Sequence, residues 1–248
     1  MDLSESSTEV FNRHPWELSR TQCVLGVFSK YIDRMKKADI VYINAGAGDL
    51  YFDRILLKKY VNNHVHAIDI AYEDMKPEDD RIHKYHFLED VKAENMDYAI
   101  MMDSLEYMED DVDYVKKMTQ KIRKGGYFFF TLPAFPILFS DYDVKIKNLR
   151  RYSHRTFDKV LDKVPELKKV EAHNFYTSLF AIRFVQKMLH LPIDPHCRFT
   201  ANWSLAQDNI LTKILTTCLN IDFGFNRMLG RIGIRLPGLS MIIVCRKV

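Results

Sequence analysis

The spacing of apolar residues changes several times along this chain, and the changes divide it into elements. Between residues 14 and 36, Trp16, Leu18, Val24, Leu25, Phe28, Tyr31 and Ile32 recur at helical spacing and predict an amphipathic helix. "DIVYIN" (39–44) is instead an unbroken apolar run of strand length, closed by Gly46-Ala47-Gly48. The helical period returns in "DLYFDRILLKKY". "HVHAIDI" (64–70), "KYHFLE" (84–89) and "DYAIMMDSL" (97–105) read as a second, third and fourth strand. "DDVDYVKKMTQKIRK" reads as a helix, with acids in its first turn and bases in its last, as the helix dipole favours. Gly125-Gly126 is expected to stop that helix before a fifth strand, "YFFFTLP" (127–133).

Strands alternating with helices of this length imply βαβ units and a parallel sheet. Strand candidates at 167–174 and 239–247 bring the count to seven. The fold class expected is α/β: a doubly wound, Rossmann-like, mostly parallel seven-stranded sheet with a helical insertion before the last strand. Between the last two strands lie roughly 65 residues of helical pattern, long for a simple connection and so read as a cap. Residues 1–248 are read as one domain: the helix at 14–36, a core at 37–133, a substrate loop at 134–156 and the cap at about 175–238. Right-handed crossovers would leave a crevice at the carboxyl ends of the strands, and the Gly-Ala-Gly loop should lie there.

Composition narrows the class. The chain has 248 residues, 47% hydrophobic and 28% charged, ordinary values for a soluble globular protein. A net charge of +3 is too small to argue for nucleic acid, and no such partner is expected. The acidic, polar stretch "MDLSESSTEV" has no apolar core of a secretory signal. The longest apolar run holds two prolines and is too short to span a bilayer, so no transmembrane segment is expected. Cys23, Cys197, Cys218 and Cys245 are scattered and read as reduced thiols in a cytoplasmic protein. The nine histidines offer no carboxylate at ligand spacing, so no metal site is expected.

The glycine loop is not a full dinucleotide fingerprint: after Gly46 and Gly48 the third glycine position holds Tyr51. A phosphate-binding Gly-Lys-Ser/Thr is also missing. Asp69, at the end of the second strand and about 20 residues past the loop, suits the two hydroxyls of a ribose. Asp90, after the third strand, suits an exocyclic amine or, equally, the N-cap of "VKAEN".

In this order, "INAGAGDL", Asp69, "FLEDV", "DSLEYMEDD" and "IRKGGYFFFTLPA" resemble the class I S-adenosylmethionine-dependent methyltransferases. "HPWELSR" is similar to an N-terminal H-x-W-x-x-x-R element of some bacterial members, and "LPAFPILFSDYDVKIKNLRRYS" to their R-R-Y-S segment. The resemblance implies S-adenosylmethionine as cofactor. It places Gly46 and Gly48 beneath the methionine and ribose, Asp69 with Ile70 at the ribose, and Asp90 with Val91 around the adenine. It sets Asp103, Ser104 and Leu105 on the methyl-transfer side, Arg20 at the cofactor carboxylate and Trp16 as a cover, although an aromatic on a helix stripe is also ordinary core.

Departures from the family pattern are specific. Asn44 stands where relatives have Asp or Glu, Leu50 where they have Gly, and Tyr107 and Tyr142 where they have His. Asn44 keeps an acceptor oxygen for the cofactor's amino group without the charge. Leu50 is expected one residue into the helix. For a general base the candidates are Asp103, Glu106, Tyr107, Asp143 and His154, and no spacing selects one. For substrate binding they are Tyr107, Arg150, Arg151 and Tyr152, the arginines suiting a carboxylate or phosphate. The acceptor expected is a small anionic or glycan-related molecule, such as a sugar nucleotide or a lipid-linked saccharide. Two rivals stand beside this reading: a non-catalytic S-adenosylmethionine-binding partner protein and a nicotinamide-dependent oxidoreductase. The apolar helical stretches "FYTSLFAIRFVQKMLHLP" and "NILTKILTTCLNIDFGF" are expected to pack as the cap's own core.

Overall fold

The computed structural model describes residues 12–76, 79–189, 203 and 205–248. Seven strands form one sheet: β1 (Val41–Ala45), β2 (His64–Ile68), β3 (Ile82–Tyr85), β4 (Met96–Met102), β5 (Ile122–Pro133), β6 (Leu167–Phe175) and β7 (Ser240–Lys247). Their order is β3-β2-β1-β4-β5-β7-β6. β7 runs antiparallel to both of its neighbours, and every other pair is parallel. The helices are α1 (Pro15–Met35), α2 (Tyr51–Lys59), α3 (Asp111–Lys121), α4 (Asp141–Lys145), α5 (His154–Asp162), α6 (Thr177–Met188) and α7 (Ile210–Arg231). This is the mostly parallel, seven-stranded α/β sheet expected from the strand–helix alternation.

β1, β4, the second half of β5 and β7 are largely apolar and buried on both faces because helices cover both. Tyr42, Tyr98 and Phe129 face α1 and α2 in one core. Ile43, Ala99, Phe128 and Phe130 face α3 and α5 in the other. Strand order reverses between β1 and β4, so the crevice opens at their carboxyl ends.

Several boundaries differ from the sequence reading. The third strand ends at Tyr85, and residues 88–90 coil into a single 3-10 turn. No helix follows Asp90, which excludes the N-cap alternative for it. β4 stops at Met102 because Asp103 takes a left-handed backbone, φ 46°. α3 ends at Lys121, and Gly125-Gly126 lie within β5, where the β4–β5 register shifts between Met96 and Tyr98. A Cβ on Gly126 would sit 2.7 Å from the Asp97 carbonyl oxygen and 2.5 Å from Ile122 Cγ2. The glycine is therefore required by close strand approach, not by helix termination.

The cap helices also differ. α6 buries none of its residues, and α7 lies along α1 with Ser19 Oγ donating to Asn220 Oδ1 at 2.8 Å. They do not pack as an apolar core of their own.

Candidate functional site

The site is built where β1, β2 and β4 end side by side, with Ala45 in register with Ile68 on one side and Met101 on the other. The chain leaves β1 through Gly46, whose amide donates to the Ile68 carbonyl at 2.9 Å, as does that of Ala47 at 3.0 Å. Gly46 (φ 74°) and Gly48 (φ 56°) both need left-handed backbone. Leu50 also adopts it, φ 62°, as the residue preceding α2 and not one within it. It thus takes a conformation that glycine adopts without strain. The strain of a non-glycine, about 1–2 kcal/mol, is offset by burial of the side chain to 2% exposure.

Asp69 lies directly beyond β2. Its Oδ2 accepts from the Gly48 amide at 2.9 Å and its Oδ1 from the Ala71 amide at 3.0 Å. The carboxylate therefore braces the glycine loop. Ile70 is 78% exposed beside it. Asp90 is exposed at the carboxyl end of β3, while the Val91 side chain is fully buried in the core.

From the other side of the crevice comes the loop after β4. Asp103 Oδ1 accepts from Thr131 Oγ1 at 3.0 Å, and its Oδ2 forms an ion pair with Arg20 of α1. The Arg20 guanidinium also lies over the Trp16 ring at 4.4 Å. Ser104 reaches under the glycine loop, so that a Cβ on Gly46 would meet Ser104 Cβ at 2.5 Å. Leu105 is buried, Glu106 is buried, and Tyr107 is 41% exposed. The start of α1 is strapped over the loop: Arg13 pairs with Glu17 and Asp49 and stacks on Tyr51 at 3.6 Å.

Asn44 is joined to a residue the sequence reading did not single out. Its Nδ2 donates to Asp53 Oδ2 at 2.8 Å, and Tyr42 Oη donates to Asp53 Oδ1 at 3.0 Å. Asp53, on α2, is fully buried, and burial raises its carboxyl to about 6 against the pull of those two hydrogen bonds. The carboxylate that meets position 44 thus comes from α2, nine residues later. The only signal was the helical phase that turns Asp53 inward, an acid on the apolar side of its helix.

Five buried side-chain atoms in this region lack a partner: Glu17 Oε2, Arg20 Nε, Asn44 Oδ1, Ser104 Oγ and Glu106 Oε2. Buried polar atoms are ordinarily satisfied, so a cluster of unsatisfied ones marks a place shaped for something polar. It offers a cationic donor, a hydroxyl and acceptor oxygens, a fit to an amino-acid moiety carrying both charges. Burial holds the Glu106 carboxyl up at about 8, with Asp143 adding to the rise and Arg20 and Arg151 opposing it. Near neutral pH it is mostly protonated.

The remaining candidates lie apart from that cluster or are already engaged. Asp143 is fully buried and accepts from Ser140 N, Ser140 Oγ, Asn148 Nδ2 and Arg151 Nε. Arg150 pairs with Asp111 at 3.0 Å and donates to the Glu109 carbonyl. Tyr152 is buried and donates to Asp111 at 2.8 Å. His154 is hydrogen-bonded to Asn174 at 2.9 Å, on β6, three strands away from β4, and burial lowers its pKa. Asp143→Ala is expected to strip four hydrogen bonds and leave Arg151 uncompensated, costing about 3–5 kcal/mol. Denaturant melts would show it, with Asp143→Asn milder because it retains acceptors. Among the described residues, no group of three His, Cys, Asp or Glu is placed to hold a metal.

No family model and no curated protein sequence matches the chain. Solved structures do match it in fold. The geranyl diphosphate C-methyltransferase of Streptomyces coelicolor A3(2), in complex with Mg2+, geranyl-S-thiolodiphosphate and S-adenosyl-L-homocysteine, superposes with a TM-score of 0.55 at 10% identity, over 85% of this chain and 70% of that one. Phosphoethanolamine N-methyltransferase 2 of Haemonchus contortus, in complex with S-adenosyl-L-methionine, gives 0.51 at 14% identity, over 85% of this chain and 49% of that one. At such identities the likeness is one of fold: this chain has the architecture on which those methyltransferases are built.

Proposed function

We propose that the protein is an S-adenosylmethionine-dependent methyltransferase. The observation that carries the reading is the cluster of unpartnered buried polar atoms at the β1–β4 switch point, on a sheet shared with such enzymes. Arg20 would hold the cofactor carboxylate and Asn44 Oδ1 would accept from its amino group. Asp69 would take the ribose hydroxyls, with Ile70, Asp90 and Val91 toward the adenine. Trp16 would cover the bound molecule. When bound, the cofactor supplies a sulfonium methyl group to a nucleophile held in line with it. Glu106, mostly neutral near pH 7, would donate a hydrogen bond and exclude bulk water. Ser104 and Asp103 would fix the floor on the transfer side.

For the acceptor we propose a small anionic or glycan-related molecule. The support is the loop at 134–156, which follows β5 at the crevice and carries Lys145, Lys147, Arg150, Arg151 and Arg155. Since Arg150 and Arg151 are tied to Asp111 and Asp143, the exposed Lys147 and Arg155 are the better anion contacts. A non-catalytic cofactor-binding protein is the second reading, favoured by the full engagement of Asp143 and His154 inside the fold.

Calorimetric titration separates these from a nicotinamide enzyme. S-adenosylhomocysteine should bind and NAD should not; NAD binding without a response to S-adenosylhomocysteine would overturn the reading. Asp69→Ala should weaken binding by about 2–4 kcal/mol, through loss of charge-assisted hydrogen bonds and of the brace on Gly48.

A further inference from the structure

α7 is amphipathic in the reverse sense. The side it turns to the protein carries Thr212, Thr216, Asn220, Phe223 and Asn226, and much of its packing there is polar. Asn220 bonds to Ser19 and Gln22, and Asn226 donates to Thr177 Oγ1 at 2.7 Å. Ile210, Ile214, Ile221, Phe225, Met228 and Ile232 recur at spacings of three, four and seven, which places them on the opposite side. They are 51–74% exposed. α6 continues this surface with Ile182, Val185, Met188 and Leu189, each more than half exposed. A soluble helix buries such a stripe and exposes its threonines and asparagines. Here the order is inverted along six turns.

The charge on these helices is predominantly positive. Across residues 177–189 and 205–239 there are six basic side chains and two acids. One of the acids, Asp222, is held by the amides of Thr177 and Ser178. Lys187, Lys213, Arg231 and Arg235 are exposed around the apolar stripe. No described helix is long and apolar enough to cross a membrane. The surface also reaches the crevice side: Phe180 packs on Phe135 at 4.7 Å, and Ile137 in the same loop after β5 is 57% exposed.

An apolar stripe edged by cations, on a helix that cannot span, matches an anionic bilayer surface: the stripe enters the acyl boundary and the cations meet the headgroups. A second copy of this chain would bring basic side chains against basic side chains. We propose that the outward face of α6 and α7 seats on an anionic lipid membrane, with α7 lying in the interface.

Vesicle flotation tests this with the full chain and no cofactor, so the outcome does not depend on the methyltransferase reading. The parent protein should float with vesicles of phosphatidylcholine mixed with phosphatidylglycerol, and much less with phosphatidylcholine alone or at high salt. Ile214→Ser/Ile221→Ser/Phe225→Ser should weaken the binding at least tenfold with an unchanged circular dichroism spectrum, these side chains being exposed. Lys213→Glu/Arg231→Glu should remove the preference for phosphatidylglycerol. Failure of the parent to float overturns the proposal. So does a parent dimer, seen by light scattering, that the triple serine variant converts to monomers; that result assigns the face to a second copy.

Discussion

Replacing Asn44 by aspartate is expected to destabilise the fold and leave cofactor affinity unimproved. The new carboxylate would face Asp53 across the 2.8 Å now bridged by Asn44 Nδ2. Two buried carboxylates that close cannot both ionise, and the proton they share is held well above the ordinary carboxylate range. Asp53 alone already stands at about 6. A carboxyl raised above its unfolded value contributes its stability below the unfolded pKa and loses it as pH rises through the folded one. The cost of Asn44→Asp should therefore be small near pH 4 and reach about 3–5 kcal/mol at pH 8, a fall in melting temperature of roughly 10 °C. Thermal melts of parent and variant across that range measure it. The exchange Asn44→Asp/Asp53→Asn, with one carboxylate again, should recover most of the loss, and a double-mutant cycle gives the coupling. Equal melting of single variant and parent at high pH would remove Asp53 from the explanation.

Gly46→Ala is the second large effect. At φ 74° any side chain is strained, by about 1–2 kcal/mol for alanine. The added Cβ would also lie 2.5 Å from Ser104 Cβ. Relief of that overlap, by moving one loop off the other, adds about 1–3 kcal/mol. Because the two loops form the floor of the proposed cofactor site, binding should fall together with stability. Gly46→Ala/Ser104→Gly removes the overlap and leaves the backbone strain, so it should restore part of the melting temperature. No difference between single and double variants would place the whole cost in the backbone.

How far the sequence reveals this arrangement follows from the range of the forces involved. β1, β4, the second half of β5 and β7 are mostly apolar runs buried on both faces, and such runs show in the sequence because burial selects nearly every residue in them. The glycine loop and Asp69 are legible for a similar reason, since left-handed backbone and a strand-end acid leave few choices of residue type. Gly125-Gly126 is misleading because helix termination and close strand approach call for the same residue. Asn44 reads as a lost charge, for its partner Asp53 depends on how α2 packs. Asp143 and Arg151 read as free chemistry because ion pairing between separate segments has no local pattern. α7 is the sharpest failure: periodicity gives the apolar stripe but not which way it faces.

The position of β7 bears on how the molecule is made. It is the last strand of the chain, yet it lies between β5 and β6 rather than at the sheet edge. Until the residues up to Lys247 have left the ribosome, β5 has no partner on that side and β6 has none at all. The contact between α1 and α7 also closes late, because Ser19 meets Asn220 across 201 positions of chain. Until β7 emerges the polypeptide therefore carries unpaired strand edges, the state in which aggregation competes with folding. Closure then depends on distant contacts, which fold slowly. Chains cut before β7 should collect in the insoluble fraction, and a chaperone that shields apolar surface should improve the yield of the 248-residue chain.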